Sequence, residues 1–250
     1  MKNPNALVSS LYGQMIVNLN DSVITRHILE HGYWAIQDIE LIKSLVNFQL
    51  TRQPSVMFYD VGANIGTHSL AMAKSFPGRI TVRAFEAQRQ IFTMLCGTMA
   101  LNNLSNVHCH LNAVSQVDGE VLQIGLLDYH AKNNFGALEL MPPVRSDQQA
   151  VSKVATEPVR TLTLDAFDER VDFIKIDVEG MEDKVLAGAR AAIQKHRPVL
   201  FVEIHKTDSA RVLQMFSTEI GNYLGFLRGI DLILIPLEYG IQVENAQRVI

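Results

Sequence analysis

Residues able to do chemistry gather first in the run Asp60-Val61-Gly62-Ala63-Asn64-Ile65-Gly66, between the apolar stretch Val56–Val61 and a helical stretch from Thr67 to Phe76. A strand that ends in an acid and turns through Gly62, Asn64 and Gly66 into a helix brings backbone N–H groups to the helix N-terminus, where glycine permits close approach of a ligand. Such a turn suits a nucleotide-like molecule. Dinucleotide sites carry Gly-x-Gly-x-x-Gly, whose middle glycine leaves room for a pyrophosphate; here Asn64 departs from that pattern. Asp60 would also repel a pyrophosphate, whereas the ammonium and sulfonium of S-adenosylmethionine favour a nearby carboxylate. About twenty residues past the last loop glycine, Glu86 ends the next apolar stretch, where an acid can accept both ribose hydroxyls of an adenosine. That spacing points to an adenosine ligand without separating the two cofactors.

The elements that must position these residues follow from periodicity. From Val56 onward, short apolar strands alternate with amphipathic helices, the pattern of a parallel sheet covered on both faces. Strands are expected at Val56–Val61, Ile80–Glu86, 107–113, 119–127, 159–164, 171–178 and 198–205, with Phe226 to Ile235 supplying a last strand or pair. Helices are expected at 67–76, 88–101, 180–195 and 209–220. Before Val56, Met15 to Leu19 reads as a short strand. Asp21-Ser22-Val23 offers an N-cap before Ile24, Ile28 and Leu29 at helical spacing, and Ile36 to about Leu50 presents Ile39, Ile42, Leu45, Val46 and Leu50 on one face. The division expected is an N-terminal extension or cap over 1–52 and a cofactor-binding domain over 53–250. Asp128 to Thr156, with Pro142-Pro143, has no clear period and is expected to be a lid, a partner surface or disorder.

Composition narrows the classes. The 250 residues are 48% hydrophobic and 19% charged, with a formal net charge of −4, ordinary for a globular chain. Lys and Arg are scattered, so no basic stripe exists for nucleic acid or an anionic membrane. Cys96 and Cys109 form no CxxC pair and the start has no secretory pattern, which makes a reduced cytoplasmic compartment the expectation. Apolar runs such as Ile230 to Leu237 are too short to span a bilayer. Oligomeric state is not legible.

The glycine loop with Thr67, together with Phe173-Ile174-Lys175-Ile176-Asp177-Val178-Glu179-Gly180-Met181-Glu182, followed by Leu186, Gly188 and Ala189, resembles the FkbM family of methyltransferases. Lesser agreements are Asn112-Ala113-Val114-Ser115, Thr163-Leu164-Asp165 and Glu203-Ile204-His205. The resemblance runs from about Asp21 to His205 and thins over Asp128 to Thr156; Ala87-Gln88 stands where the family often has a proline, a change read as neutral for cofactor binding. It implies a class I methyltransferase, Rossmann-like α/β fold: a mostly parallel seven-stranded sheet with helices on both faces and a short N-terminal helical extension. It also implies S-adenosylmethionine as cofactor, with Asp60, Gly62 and Asn64 lining its methionine part on the turn that Gly66 closes, Glu86 its ribose, and Ala113 and Val114 its adenine. The acceptor classes implied are a hydroxyl of a sugar, glycan or natural product.

Ligands in open α/β sheets collect at the carboxyl ends of strands, so Asp177, Glu179, Glu203 and His205 are expected to converge beside the methyl group, with Asp177 on the cofactor wall as well. Transfer to oxygen needs alignment and removal of the acceptor proton. His205 is the expected general base, oriented by Glu203 or Asp177. A divalent cation such as Mg held by these groups is the second choice; hydrogen bonding to the acceptor alone is the third. Asp177 can instead simply cap the following helix. Lys175, in an apolar strand, must be paired or functional. His68 can face the cofactor or acceptor, and Tyr33 and Trp34 can stack on a sugar face, though packing accounts for such residues more often. The rival functions are an NAD-dependent oxidoreductase and a non-catalytic cofactor-binding module.

Overall fold

The computed structural model describes residues 3–140 and 151–250. The chain opens with a hairpin in which β1 (Asn5–Ser9) pairs antiparallel with β2 (Gln14–Asn18). The extension is therefore not purely helical: Ser10 and Gly13 close a tight turn, and alternation buries Met15 and Val17. Two helices follow, α1 (Ile24–His31) and α2 (Ile36–Arg52). Val23 is the N-cap position of the first and makes no side-chain cap, but Asp21, two residues earlier, accepts the Thr25 N–H at 2.7 Å, and Gly32 ends the helix in the left-handed region at φ +82°. The expected face of α2 is buried.

The remaining elements in chain order are β3 (Val56–Val61), α3 (Thr67–Ser75), β4 (Ile80–Glu86), α4 (Arg89–Leu101), β5 (Val107–Leu111), β6 (Ala113–Val114), β7 (Val121–Leu127), β8 (Val151–Leu162), β9 (Phe173–Ile176), α5 (Glu182–Ala187), α6 (Arg190–His196), β10 (Val199–Glu203), α7 (Ser209–Gln214), β11 (Tyr223–Arg228), β12 (Asp231–Pro236) and β13 (Gln247–Arg248). The main sheet has eight strands in the order β13-β11-β12-β10-β9-β3-β4-β5. Pairing is parallel from β5 through β10 and antiparallel from β10 to β13. The expected seven become eight because the C-terminal tail returns along β11 as a two-residue strand, too short and polar to register as a periodic segment.

Both faces are covered. Phe58 and Phe173 point into one apolar cluster with Ile39, Leu70 and Leu95 from α2, α3 and α4. Their strand neighbours Tyr59 and Ile174 point into a second, with Leu186, Ile193 and Val212 from α5, α6 and α7. This period-two division explains the nearly continuous apolar runs.

Three expected elements are divided differently. The strand expected over 107–113 leaves the main sheet after Leu111, and β6 joins a separate three-stranded sheet, β6-β8-β7. The strand expected at 159–164 is the end of the longer β8, which pairs with β7 and takes up the close of the 128–156 segment; Pro142 and Pro143 lie outside the described residues. The single helix expected over 180–195 breaks into α5 and α6 at Gly188, where a Cβ would stand 2.1 Å from the Ser115 carbonyl oxygen. Among the described residues no helix is long and apolar enough to cross a membrane. Because Gly188 has an ordinary helical backbone, only this clash opposes a side chain there. Gly188→Ala is expected to lower stability by about 2 kcal/mol, read as a lower urea midpoint; an unchanged midpoint would mean that the Ser115 turn yields freely.

Candidate active site

Between β3 and α3 the backbone enters the left-handed region at Gly62, Asn64 and Gly66 (φ +76°, +50° and +93°). The reasons differ. A Cβ on Gly62 would lie 1.7 Å from the Asp177 carbonyl oxygen, so the β3 loop and the β9 loop can touch only through a glycine. A Cβ on Gly66 would meet Leu95 and Met99 at 2.6 Å, so this glycine lets α4 pack over the start of α3 and is not on the cleft wall. The N–H groups of Gly62 and Ala63 both donate to the Phe85 carbonyl, at 3.0 and 2.9 Å.

Glu86 locks the loop to β4. Its carboxylate accepts the Asn64 N–H at 2.9 Å and the Gln88 N–H at 2.8 Å. Burial pushes its pKa up to about 7, against those backbone donors, which favour the ionised form. Gly62, Asn64, Glu86, Ala113 and Val114 share one wall of an open cleft at the carboxyl ends of the strands.

Asp60 is elsewhere. It is fully buried beneath the loop, off the cleft wall, and accepts a 2.6 Å hydrogen bond from Ser69 Oγ. Lys175 Nζ stands 3.5 Å from Asp60 and 3.3 Å from Asp177, and donates to the Gly62 carbonyl at 2.9 Å. Burial disfavours charge on this lysine, but Asp177 and Asp60 outweigh it and hold its pKa above the ordinary lysine value. The question the sequence left about Lys175 is thus answered: it is paired, and it neutralises the acid expected to meet the ligand.

The cleft also carries acidic and aromatic residues. Asp177, Glu179, Glu203, His68 and Trp34 lie on its wall. Glu179 has φ +56° and pairs with Lys206. Glu182, buried rather than solvent-facing, shapes this turn by accepting the N–H groups of Val178 and Gly180. Burial, reinforced by Asp177 and Glu179, raises the Glu203 pKa, and its carboxyl contacts His205 Nδ1 at 2.8 Å. His205 is itself off the wall, with burial and Lys206 lowering its pKa. Among the described residues Glu179, Glu203 and His205 have potential ligand atoms within 4.8 Å of one another; Asp177 is not in that set.

Several wall residues carry no sequence signal. Val23 and Ile24 come from the start of α1, and Asn134, Gly136, Leu138 and Leu140 from the segment after Asp128. That segment is anchored by Gln88, whose amide donates to the Phe135 carbonyl at 2.9 Å and accepts from Tyr129 Oη at 3.1 Å. The position read as a neutral departure therefore ties a cleft wall in place; a polar side chain two residues after the strand-end acid was the available clue.

The model of the methyltransferase FkbM domain matches residues 60–228, well over half of the chain. The chain belongs to the FkbM methyltransferase family. Over 143 residues it is 29% identical to Methyltransferase 1 of Beauveria bassiana (strain ARSEF 2860), covering 52% of this chain and 56% of that protein. The crystal structure of a methyltransferase FkbM from Methylobacillus flagellatus KT matches with a TM-score of 0.51 at 19% identity, covering 72% of this chain and 44% of the other. The chain thus spans about half the length of these relatives. The FkbM match begins at Asp60 and ends at the last residue of β11, so the hairpin, α1 and α2 precede it, and with them Val23, Ile24 and Trp34, which line the cleft from the start of α1 and the loop before α2. Within the matched region, Lys175 is the group whose removal exposes the design of the site. Lys175→Met leaves Asp60 buried without its cation and is expected to cost about 3–5 kcal/mol of stability, whereas Lys175→Met with Asp60→Asn should recover much of it. Denaturant titration of the three proteins checks this; additive losses would show that the two residues do not act as a pair.

Proposed function

We propose that the protein is an S-adenosylmethionine-dependent O-methyltransferase that methylates a hydroxyl of a sugar, glycan or natural product. The observation that carries this reading is one open cleft lined both by the glycine loop with Glu86 and by Trp34, His68 and the carboxyl groups of Asp177, Glu179 and Glu203. Family membership supports the reaction class.

The residues present fit the cofactor. Each Glu86 oxygen accepts one backbone N–H and keeps a further lone pair for a ribose hydroxyl. Ala113 and Val114 are small and apolar beside an adenine ring, and Gly62 and Asn64 offer backbone to the methionine part. Asp60 supports that part from below instead of touching it. When bound, S-adenosylmethionine supplies an electrophilic methyl group on a sulfonium. The carboxyl groups lining the cleft favour that positive charge, while Asp177 and Glu203 can orient an acceptor hydroxyl. Trp34 offers a face on which a sugar ring can stack. Residues 1–52 act in this reading as a cap that completes the acceptor side of a methyltransferase domain over 53–250. A net charge of −4 without a basic stripe favours a small molecule or glycan over nucleic acid.

A divalent cation at Glu179, Glu203 and His205 is a second reading favoured by their proximity. Against it, Lys206 already pairs with Glu179 and His205 with Glu203. Transfer abolished by a chelator and restored by magnesium would favour the cation.

Calorimetry with S-adenosylhomocysteine and with NAD tests the cofactor. The expected outcome is binding of the first alone, weakened roughly tenfold or more in Glu86→Ala by loss of charged hydrogen bonds. Because the ionised carboxylate is the better acceptor and its pKa is raised to about 7, affinity should rise as pH climbs through that value and level off above it. Binding of NAD alone would overturn the reading. Transfer of labelled methyl to a panel of simple methyl glycosides tests the acceptor class.

A further inference from the structure

We propose that His68 is the catalytic base, taking the proton from the acceptor hydroxyl as the methyl group arrives. This rests on the methyl-transfer reading and names a residue within that same site.

Position comes first. His68 is the second residue of α3, immediately past the loop that meets the cofactor, and its side chain is on the cleft wall that also carries Asp177 and Trp34. The backbone of a residue there is placed by the same glycine-dictated turn that places Gly62 and Asn64.

Availability comes second. Among the described residues no hydrogen-bond partner occupies either ring nitrogen of His68, although the ring is half-buried. The other acid and base candidates named above are engaged. His205 is off the wall and joined to Glu203, Glu179 to Lys206, and Asp177 to Lys175. Lys175 is held as a cation and already donates to the Gly62 carbonyl. A half-buried imidazole without a partner, facing a cleft, is a proton acceptor in waiting.

Charge comes third. The charged groups acting most strongly on the ring come from three elements: Lys175 on β9 and Asp177 just after it, Asp60 on β3 and Asp38 near the start of α2. Burial, then Lys175, push the His68 pKa below its ordinary 6.5, so the imidazole is neutral and basic at neutral pH. The first turn of a helix disfavours a cation in the same direction. Asp60, Asp177 and Asp38 act the other way and stabilise the imidazolium once formed.

The step balances without another reactant. The acceptor oxygen bonds to the methyl carbon as the carbon–sulfur bond breaks, the sulfur keeps that electron pair, and the hydroxyl proton passes to a His68 ring nitrogen and then to water.

Two measurements test the assignment. With S-adenosylhomocysteine bound and no acceptor present, nitrogen NMR of labelled histidine should show His68 neutral at neutral pH, titrating below 6.5, with resonances that move when the ligand binds. A protonated ring at neutral pH, or resonances indifferent to the ligand, would overturn the proposal whether or not an acceptor is known. On any methyl glycoside that the wild type methylates, His68→Gln should lower kcat by roughly a hundredfold or more while calorimetric affinity for S-adenosylhomocysteine stays within about twofold. The acid limb of the wild-type kcat profile should vanish in the variant. An intact acid limb, or a loss confined to cofactor affinity, would show His68 to be structural. Failure of the wild type to bind S-adenosylhomocysteine would instead refute the methyl-transfer reading itself.

Discussion

One buried cation organises the ligand end of this protein. Lys175, almost inaccessible to solvent in β9, lies between Asp60 of β3 and Asp177 and ties the loop between them through the Gly62 carbonyl. Burying an ion pair is costly unless the remaining polar atoms are satisfied; here Ser69 donates to Asp60 Oδ2, while Asp60 Oδ1 has no hydrogen-bond partner among the described residues and faces Lys175 Nζ at 3.5 Å. The neighbouring strands β3 and β9 are thereby fixed at their carboxyl ends, where their loops meet at Gly62 and Asp177 with no room for a side chain. Everything that reaches the cleft from these loops, including Asn64, His68 and Glu179, inherits its position from that contact.

Around this fixed point the cleft is closed by segments far apart in sequence. Glu86 staples the glycine loop to β4, and Gln88 secures the stretch from Tyr129 to Phe135. That stretch also reaches the N-terminal extension, where Asn133 accepts from the Ser22 backbone and side chain at 2.8 and 2.9 Å. The acceptor side is consequently built from parts that precede, follow and interrupt the glycine-loop framework, which suits variation of the acceptor on a constant cofactor frame.

Several misread elements share one cause. The hairpin β1–β2, the terminal strand β13 and the longer β8 are defined by what they pair with, and local apolar periodicity reports burial rather than partner. Gly188 looked like an interior residue of one helix, and the nearby Ser115 carbonyl that requires it lies more than seventy residues away in the chain. Gly66 was assigned to the ligand with Gly62, yet its need for a missing Cβ comes from α4.

The amino-acid sequence by itself determined the alternation of strands and helices, the loop at Gly62, the acid at Glu86 and the kinship of the chain, because these rest on residue type at short range: glycine where φ is positive, apolar residues at period two or 3.6, an acid at a strand end. Only the tertiary structure decided which charges face the cleft. Asp60 and Asp177 look alike in sequence as acids at strand ends, but Asp60 is buried under the loop and Asp177 is on the wall. His68 and His205 differ in surroundings for the same reason, since among the described residues His68 lines the cleft with no hydrogen-bond partner on its ring and His205 lies off the wall beside Glu203. Burial and partnership depend on the packing of β3, β9, β10 and α3 against one another, and no local pattern of residues encodes that relation.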